Sequence, residues 1–211
     1  MNVAMFGGSF NPVHNAHVNF AKKVIDAVNL QKLYIMPTYS SPHKTGEGMA
    51  LPEDRFNMCN IAFKEIKNAY VSDIEILRQG QSYTCDTLKQ LKELHPEDNL
   101  FLVVGADMYM TLLKWKNPIE IFKLANIITF PRNNEDYNDL KEYSITLKEY
   151  GADTVILNEP LIKLSSTDIR QNINNKDFIK EHLNSDVYSY IVNNNLYGMW
   201  YCEIWRIQKA Y

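Results

Sequence analysis

The sequence predicts an α/β fold with a doubly wound, mostly parallel sheet flanked by helices, and two observations predict it. Six short apolar runs recur along the chain, and most are followed by a loop that contains Gly or Pro. Between these runs lie stretches whose apolar residues repeat at the helical period of about 3.6 residues. Strands that alternate with helices build parallel sheets through right-handed crossover connections.

The predicted strands are continuously apolar, which is typical of strands buried on both faces. They are Val3–Phe6, Leu33–Met36, Val71–Ile74, Leu100–Val104, Ile127–Phe130 and Thr154–Leu157. Three helices are predicted between them by their apolar faces: Phe20, Ala21, Val24, Ile25 and Val28 in the first; Phe56, Cys59, Phe63 and Ile66 in the second, after Pro52; and Leu88, Leu91 and Leu94 in the third. The segment Arg132–Asp139 is predicted to be a polar loop.

Composition narrows the class of protein. The chain has 211 residues, 45% of them hydrophobic and 22% charged, which suits one globular domain. Its net charge of -3 disfavours a nucleic-acid partner, because phosphate neutralisation usually requires a basic surplus. Three widely spaced cysteines indicate a reducing compartment. With no signal-peptide pattern and no run of roughly 18 apolar residues, we expect a cytoplasmic protein without a membrane partner.

The loop after the first predicted strand combines features of an anion site. Gly7 and Gly8 allow a tight turn and close approach of a ligand, and the following helix start presents free N–H groups. His14 and His17 are three residues apart, so both imidazoles can face the same side of the first turn. The G-x-G-x-x-G dinucleotide pattern is absent. Zinc would need a further ligand, and no suitably spaced Cys, Asp or third His stands nearby.

A second anion motif lies near the other end of the chain. Ser165 or Ser166 can cap a helix whose next N–H groups, including that of Thr167, would point at an anion. Arg170 lies four residues beyond Ser166, so its guanidinium can reach back over the same turn. Taken alone, such a serine string is more often an ordinary helix cap.

Together these motifs resemble those of nucleotidyltransferases related to class I aminoacyl-tRNA synthetases. The segment Gly8–His17 is similar to their G-x-F-D-P-x-H-x-G-H signature, with Asn11 in place of Asp and Ala16 in place of Gly. The segment Leu164–Arg170 is similar to their I-S-S-T-x-[IV]-R motif and departs only at Leu164. The resemblance implies a Rossmann-like sheet.

The same resemblance implies attack of an acceptor oxygen on the α-phosphorus of a nucleoside triphosphate, with release of pyrophosphate. Catalysis would rest on positioning and charge stabilisation. The residues assigned to it are His14, His17, Lys44 and Arg170. The residues expected to bind ATP are Gly7, Gly8, Ser9, Phe10, His17, Gly105, Asp107, Ser165, Ser166, Thr167 and Arg170. Because no acidic cluster suggests a metal cage, Mg²⁺ is expected to be held by substrate phosphates rather than by protein ligands.

The acceptor is indicated by motifs in the middle of the chain that resemble those of bacterial nicotinate mononucleotide adenylyltransferases. Pro42-His43-Lys44, Ser82-Tyr83-Thr84, Gly105-Ala106-Asp107 and the later Trp115 and Pro131-Arg132 carry this resemblance. It implies an acceptor site of Lys44, Tyr83, Thr84, Trp115 and Arg132, with Asp107 facing a ribose. The implied reaction joins the AMP moiety of ATP to nicotinate mononucleotide, giving nicotinate adenine dinucleotide for NAD synthesis.

The resemblance covers residues 1–197, so we predict a nucleotidyltransferase domain there and an extension over residues 198–211. The extension is rich in aromatic residues, and we expect it to pack on the domain or to form a subunit contact in a homo-oligomer. Three alternatives remain: a pantetheine-phosphate adenylyltransferase or cytidylyltransferase, a non-catalytic nucleotide sensor, and a relative of the tRNA ligases. The first alternative is disfavoured by the Ser-Tyr-Thr helix start together with Trp115, and the second by the retained catalytic residues. The third is disfavoured by the acidic charge balance of the chain.

Overall fold

The computed structural model describes residues 1–42, 48–131, 136–158 and 164–198. These residues form one sheet of six strands in the order β3-β2-β1-β4-β5-β6, and every neighbouring pair is parallel. The strands are β1 (Asn2–Gly8), β2 (Lys32–Pro37), β3 (Ala69–Val71), β4 (Asn99–Val103), β5 (Asn126–Thr129) and β6 (Thr154–Ile156). The predicted doubly wound α/β fold is confirmed.

Helices connect the strands and cover both faces of the sheet. Over the described residues they are α1 (Asn15–Ala27), α2 (Pro52–Phe63), α3 (Ile74–Arg78), α4 (Thr84–Leu94), α5 (Ala106–Tyr109), α6 (Pro118–Leu124), α7 (Asp136–Glu149), α8 (Ser166–Gln171), α9 (Lys176–His182) and α10 (Ser185–Asn193). Two 3₁₀ turns span Leu112–Lys114 and Leu196–Gly198. Within these ranges, none of the helices is long and apolar enough to cross a bilayer.

The first strand shows why the sheet has a hydrophobic core on each face. Side chains alternate along a strand, so Ala4 and Phe6 pack with α1, α2 and the C-terminal helices, whereas Val3 and Met5 pack with α4 and α6. All four are buried. Continuous burial on both sides accounts for the unbroken apolar runs that predicted the strands.

The predicted third strand is wrong in its boundaries. Val71–Ile74 was expected, but β3 ends at Val71, and Ile74 is the first residue of α3. β3 lies at the edge of the sheet and pairs with β2 alone, over three residues, so little hydrogen bonding extends it. Ser72 and Asp73 are residues typical of helix starts, and the hydroxyl of Ser72 accepts from the Ile74 N–H at 3.4 Å.

Two further expectations are corrected. α2 begins at Pro52 as predicted, but its buried residues are Arg55, Met58, Cys59 and Phe63, while Phe56 is only partly buried and Ile66 lies beyond the helix. The buried face is rotated because the Arg55 guanidinium finds backbone acceptors inside the protein. The segment Arg132–Asp139 was predicted to be a loop, yet Asp136–Asp139 form the first turn of α7, whose Leu140 and Leu147 are buried in the core.

The topology places the candidate site. The chain runs from β1 outward to β2 and β3, and then crosses to β4 on the other side of β1. Such a reversal opens a crevice beyond the carboxyl ends of the two central strands, where α/β sheets bind ligands. Gly7 and Gly8 end β1 at this point, and Val104 and Gly105 follow β4.

Candidate active site

The loop after β1 is held in a tight, left-handed turn. Phe10 has a φ of 46°, in the left-handed region that bulky non-glycine residues seldom adopt. Its buried ring contacts Phe6 edge-on at 5.4 Å and His17 at 5.0 Å between centroids. A side chain at Gly8 would bring its Cβ within 3.2 Å of this ring. The Phe10 ring therefore packs against the His17 ring and helps to orient it. Because the Phe10 ring is buried, only the Phe10 backbone can contact a ligand.

The two histidines stand together at the start of α1, as the spacing predicted. Their ring centroids are 3.7 Å apart. The backbone N–H of His14 donates to Nδ1 of His17 at 3.2 Å, which leaves the proton of a neutral His17 ring on Nε2. This tautomer makes the distal nitrogen of His17 a hydrogen-bond donor.

His14 is more deeply buried than the sequence suggested. It is 4% exposed, and burial lowers the pKa of its imidazole from 6.5 to about 4, against an opposing contribution from Asp168. His14 is therefore neutral at pH 7. It can act there as a neutral hydrogen-bonding group but not as a cation.

The second predicted motif folds against the first. Ser165 is the N-cap of α8: its hydroxyl accepts from the Asp168 N–H at 3.2 Å, which confirms the predicted cap. The Ser166 hydroxyl donates to the carbonyl of Pro12 at 2.9 Å. Arg170 donates to the carbonyl of Asn11 at 2.7 Å and to the Thr167 hydroxyl at 3.2 Å. Motifs more than 150 residues apart in sequence are thus bonded directly to each other.

A cavity of about 300 Å³ opens beside the ends of β1 and β4. Seven of the predicted site residues line it: Gly7, Gly8, Ser9, Tyr83, Thr84, Gly105 and Trp115. It is also lined by residues that were not predicted, among them Thr38, Glu75, Lys114 and Lys116. The structure thus brings the loop after β1 and several of the predicted acceptor residues to one cavity.

Part of the wall of this cavity is the start of α4, through Tyr83 and Thr84. Tyr83 is the N-cap and provides no side-chain cap, and the helix begins at Thr84. The first N–H groups of a helix have no acceptor within it, and they carry the positive end of the helix dipole. An anionic group is therefore favoured at this wall.

Trp115 and the G-x-D segment complete the rim. The Trp115 indole N–H donates to the Thr111 hydroxyl at 3.1 Å, which fixes the plane of a partly buried ring. Gly105 is the N-cap of α5, and Asp107 lies exposed in the first turn of that helix. Lys44, Arg132 and residues 199–211 of the predicted extension lie outside the described residues, so their assignments stay predictions.

Arg55 is a residue that the sequence reasoning missed. Its side chain is 1% exposed and donates to three backbone carbonyls, those of Ser9 at 2.8 Å, Tyr39 at 3.1 Å and Ala50 at 3.1 Å. These carbonyls belong to the loop after β1 and to both sides of the loop after β2. The available signal was its position three and four residues before Met58 and Cys59, on the same helical face.

Metal ligands are not clustered in the part of the chain that the structure describes, where no group of three or more His, Cys, Asp or Glu could hold an ion. Within those ranges, the polar side chains that line the cavity are mostly hydroxyls, together with Lys114, Lys116 and Glu75.

Comparison with known proteins identifies the family. The cytidylyltransferase-like family model matches residues 5–172. Relatives named nicotinate-nucleotide adenylyltransferase are 36% identical in Clostridium acetobutylicum and 33% identical in Clostridium botulinum. These alignments cover 92% and 93% of this chain and 98% and 99% of the relatives. The chain belongs to the nicotinate-nucleotide adenylyltransferase family.

A solved structure agrees with this placement in fold. The nicotinic acid mononucleotide adenylyltransferase of Plasmodium falciparum, complexed with NaAD, superimposes with a TM-score of 0.77 at 21% identity. The match covers 94% of this chain and 98% of that chain. The Rossmann-like sheet predicted from the two motifs is therefore that of the adenylyltransferase family.

Proposed function

We propose that this chain transfers the AMP moiety of ATP to nicotinate mononucleotide, giving nicotinate adenine dinucleotide and pyrophosphate in NAD biosynthesis. One observation carries the proposal: the two distant motifs bond to each other at the loop that leads to the paired histidines, and the start of this loop lines the cavity that also contains Thr84 and Trp115. The reaction itself needs positioning and charge stabilisation, which this arrangement can supply. We expect it to take place in the cytoplasm.

The triphosphate would lie between the loop after β1 and α8. The Nε2–H of His17 would donate to a phosphate oxygen, and the backbone N–H of His14 orients the His17 ring through its bond to Nδ1. Arg170 supplies fixed positive charge, and Lys44 is proposed to approach from the loop after β2. Mg²⁺, held by the phosphates and water, would neutralise charge on the triphosphate when bound.

The acceptor would enter the cavity with its pyridine ring against Trp115 and its acidic substituent at the start of α4. Backbone N–H groups can donate to a carboxylate but cannot accept from the NH₂ of an amide. Facing that NH₂ with donors should cost on the order of 1–3 kcal/mol, or about 5- to 150-fold in preference. Nicotinate mononucleotide is therefore the preferred acceptor, and the amide is used more slowly.

A pyrophosphate-release assay with ATP tests the proposal. The acceptor panel is nicotinate mononucleotide, nicotinamide mononucleotide, phosphopantetheine and a control without acceptor. We expect the highest kcat/KM with nicotinate mononucleotide. Release with phosphopantetheine alone would move the chain to another branch of the superfamily, and equal values for the two pyridine nucleotides would refute the role of the α4 start.

A further inference from the structure

Lys116 follows Trp115 and lines the same cavity, yet neither its sequence context nor the motifs assign it a role. Its ammonium lies 3.0 Å from Oδ2 of Asp86 and 4.1 Å from the centre of the Tyr83 ring. Asp86 is in the first turn of α4, and Tyr83 is its N-cap. The lysine therefore spans from the Trp115 side of the cavity to the helix start that faces it.

Charge is distributed unevenly around this cavity. Among the described residues that line it, the ionisable ones besides Tyr83 are Lys114, Lys116 and Glu75. Glu75 is 2% exposed, and burial raises the pKa of its carboxyl, against hydrogen bonds from Thr87 and Ser82 that lower it. Asp86 is the acidic residue in the first turn of α4, and Lys116 pairs with it.

An uncovered Asp86 would work against an acidic acceptor. Its carboxylate is on the first turn of the helix whose N–H groups would bind the carboxylate of the substrate. Two negative charges on the same helical turn repel each other. Lys116 reverses this effect. An ammonium has three donors; one bonds Asp86, the Tyr83 ring attracts the cation, and a further donor is available to a second carboxylate.

We propose that Lys116, by covering Asp86, is a specificity-determining residue that favours an acceptor whose ring carries an acidic substituent. The inference rests on the proposed function, since it concerns the acceptor of that reaction. This role differs from selection of the acceptor by the backbone N–H groups of α4, because it depends on a side-chain charge that a substitution can remove.

Four variants test the inference: K116M, K116R, D86N and the double variant K116M/D86N. K89M is the matched control, since Lys89 is also a half-exposed lysine on an ion pair, with Glu120 at 3.8 Å, and does not line the cavity. The measurement is kcat/KM for nicotinate and nicotinamide mononucleotide at saturating ATP, together with the melting temperature of each variant.

We expect K116M to lower kcat/KM for the nicotinate acceptor about 10-fold, the scale of one charge-assisted hydrogen bond, while the value for the amide changes little. K116R should keep the preference for the nicotinate acceptor, and D86N alone should not reduce that preference. The double variant K116M/D86N should recover part of the kcat/KM that K116M loses with the nicotinate acceptor. Higher ionic strength should narrow the difference between wild type and K116M.

Other outcomes would overturn the inference. If the ion pair has only a structural role, K116M and D86N should lower kcat/KM for both acceptors by the same factor. The melting temperature should then fall in parallel. An unchanged acceptor ratio in K116M, with an active wild type, overturns the role of Lys116 alone. A wild-type enzyme inactive toward nicotinate mononucleotide would overturn the proposed function and this inference with it.

Discussion

At the scale of single residues, the hydrogen bonds of Asn11 explain why this chain can carry asparagine where the signature usually has aspartate. Its Nδ2 donates to the carbonyl of Gly48 at 3.1 Å, and its Oδ1 accepts from the Ala50 N–H at 3.0 Å and from the Tyr197 hydroxyl at 2.8 Å. An aspartate could accept these bonds but could not donate to Gly48. Asparagine at this position therefore fits its partners, and the amide ties the loop after β1 to two distant segments.

His14 makes stability depend on pH. Its folded pKa of about 4 lies below the unfolded value of 6.5, so the unfolded chain binds the proton first as pH falls. Stability should decrease between about pH 6.5 and pH 4, by on the order of 3 kcal/mol below both values. Urea unfolding of wild type and His14→Gln across this range measures the difference. Parallel curves for the two proteins would remove His14 as the source of acid sensitivity.

Substitution of His17 should affect catalysis much more than the stability of the fold. His17→Ala removes a donor proposed to contact phosphate and should lower kcat about 10²–10³-fold. The same change loses the bond to the His14 N–H, which should cost only about 1 kcal/mol of stability. Asn19→Ala, at an exposed position further along α1, is the control. Near-normal turnover in His17→Ala would exclude the imidazole from the reaction.

At the scale of elements, α2 fastens the loops that border the cavity. The Arg55 guanidinium bonds carbonyls before and after the stretch that contains Lys44, and it bonds Ser9 in the loop after β1. A single buried side chain on a helix thereby fixes the spacing between two loops that the proposed reaction uses.

Arg55→Leu should therefore destabilise the protein strongly, by on the order of 3–5 kcal/mol, because the buried carbonyl of Ser9 and the partly buried carbonyls of Tyr39 and Ala50 lose their donor. Arg55→Lys should lose somewhat less, since one ammonium cannot reproduce the planar fork. The midpoint of urea unfolding measures both, with Lys64→Met, a 78% exposed neighbour, as the control. If Arg55→Leu were no less stable than this control, the guanidinium would not be what holds the loops.

At the scale of the whole molecule, the candidate site depends on contact between the loop after β1 and residues late in the described chain. Pro12 and Asn11 are bonded by Ser166 and Arg170, and Tyr197 bonds Asn11 as well. The C-terminal helices α9 and α10 pack on the face of the sheet that carries α1, and their Ile179, Val187 and Ile191 are buried there. Helices distant in sequence from the loop after β1 thus share one hydrophobic core with its Phe10 and Val13.

The extension over residues 198–211 leads to a prediction at this scale. Truncation after Gly198 should lower the melting temperature or the solubility, or reduce the mass of an oligomer, because Trp200, Ile204 and Ile207 would form one apolar stripe. Thermal unfolding and light scattering of the truncated and full chains measure these effects. Unchanged melting temperature, solubility and mass together would exclude both packing on the domain and a subunit contact.

The sequence by itself determined the alternation of strands and helices and the two anion motifs. These features are local: burial on two faces produces continuous apolar runs, helical burial produces a 3.6-residue repeat, and N-caps such as Ser165 follow from nearby residues. The paired rings of His14 and His17 belong to the same category, since one helical turn sets their spacing.

Only the tertiary structure decided which residues the motifs contact. The burial of Arg55, the pairing of Lys116 with Asp86 and the bonds from Ser166 and Arg170 to the first loop join segments that no local pattern connects. The edge position of β3 likewise shortened a strand that apolarity alone extended too far. A charged side chain is predicted to be exposed until partners distant in sequence satisfy its hydrogen bonds, and those partners exist only once the chain has folded.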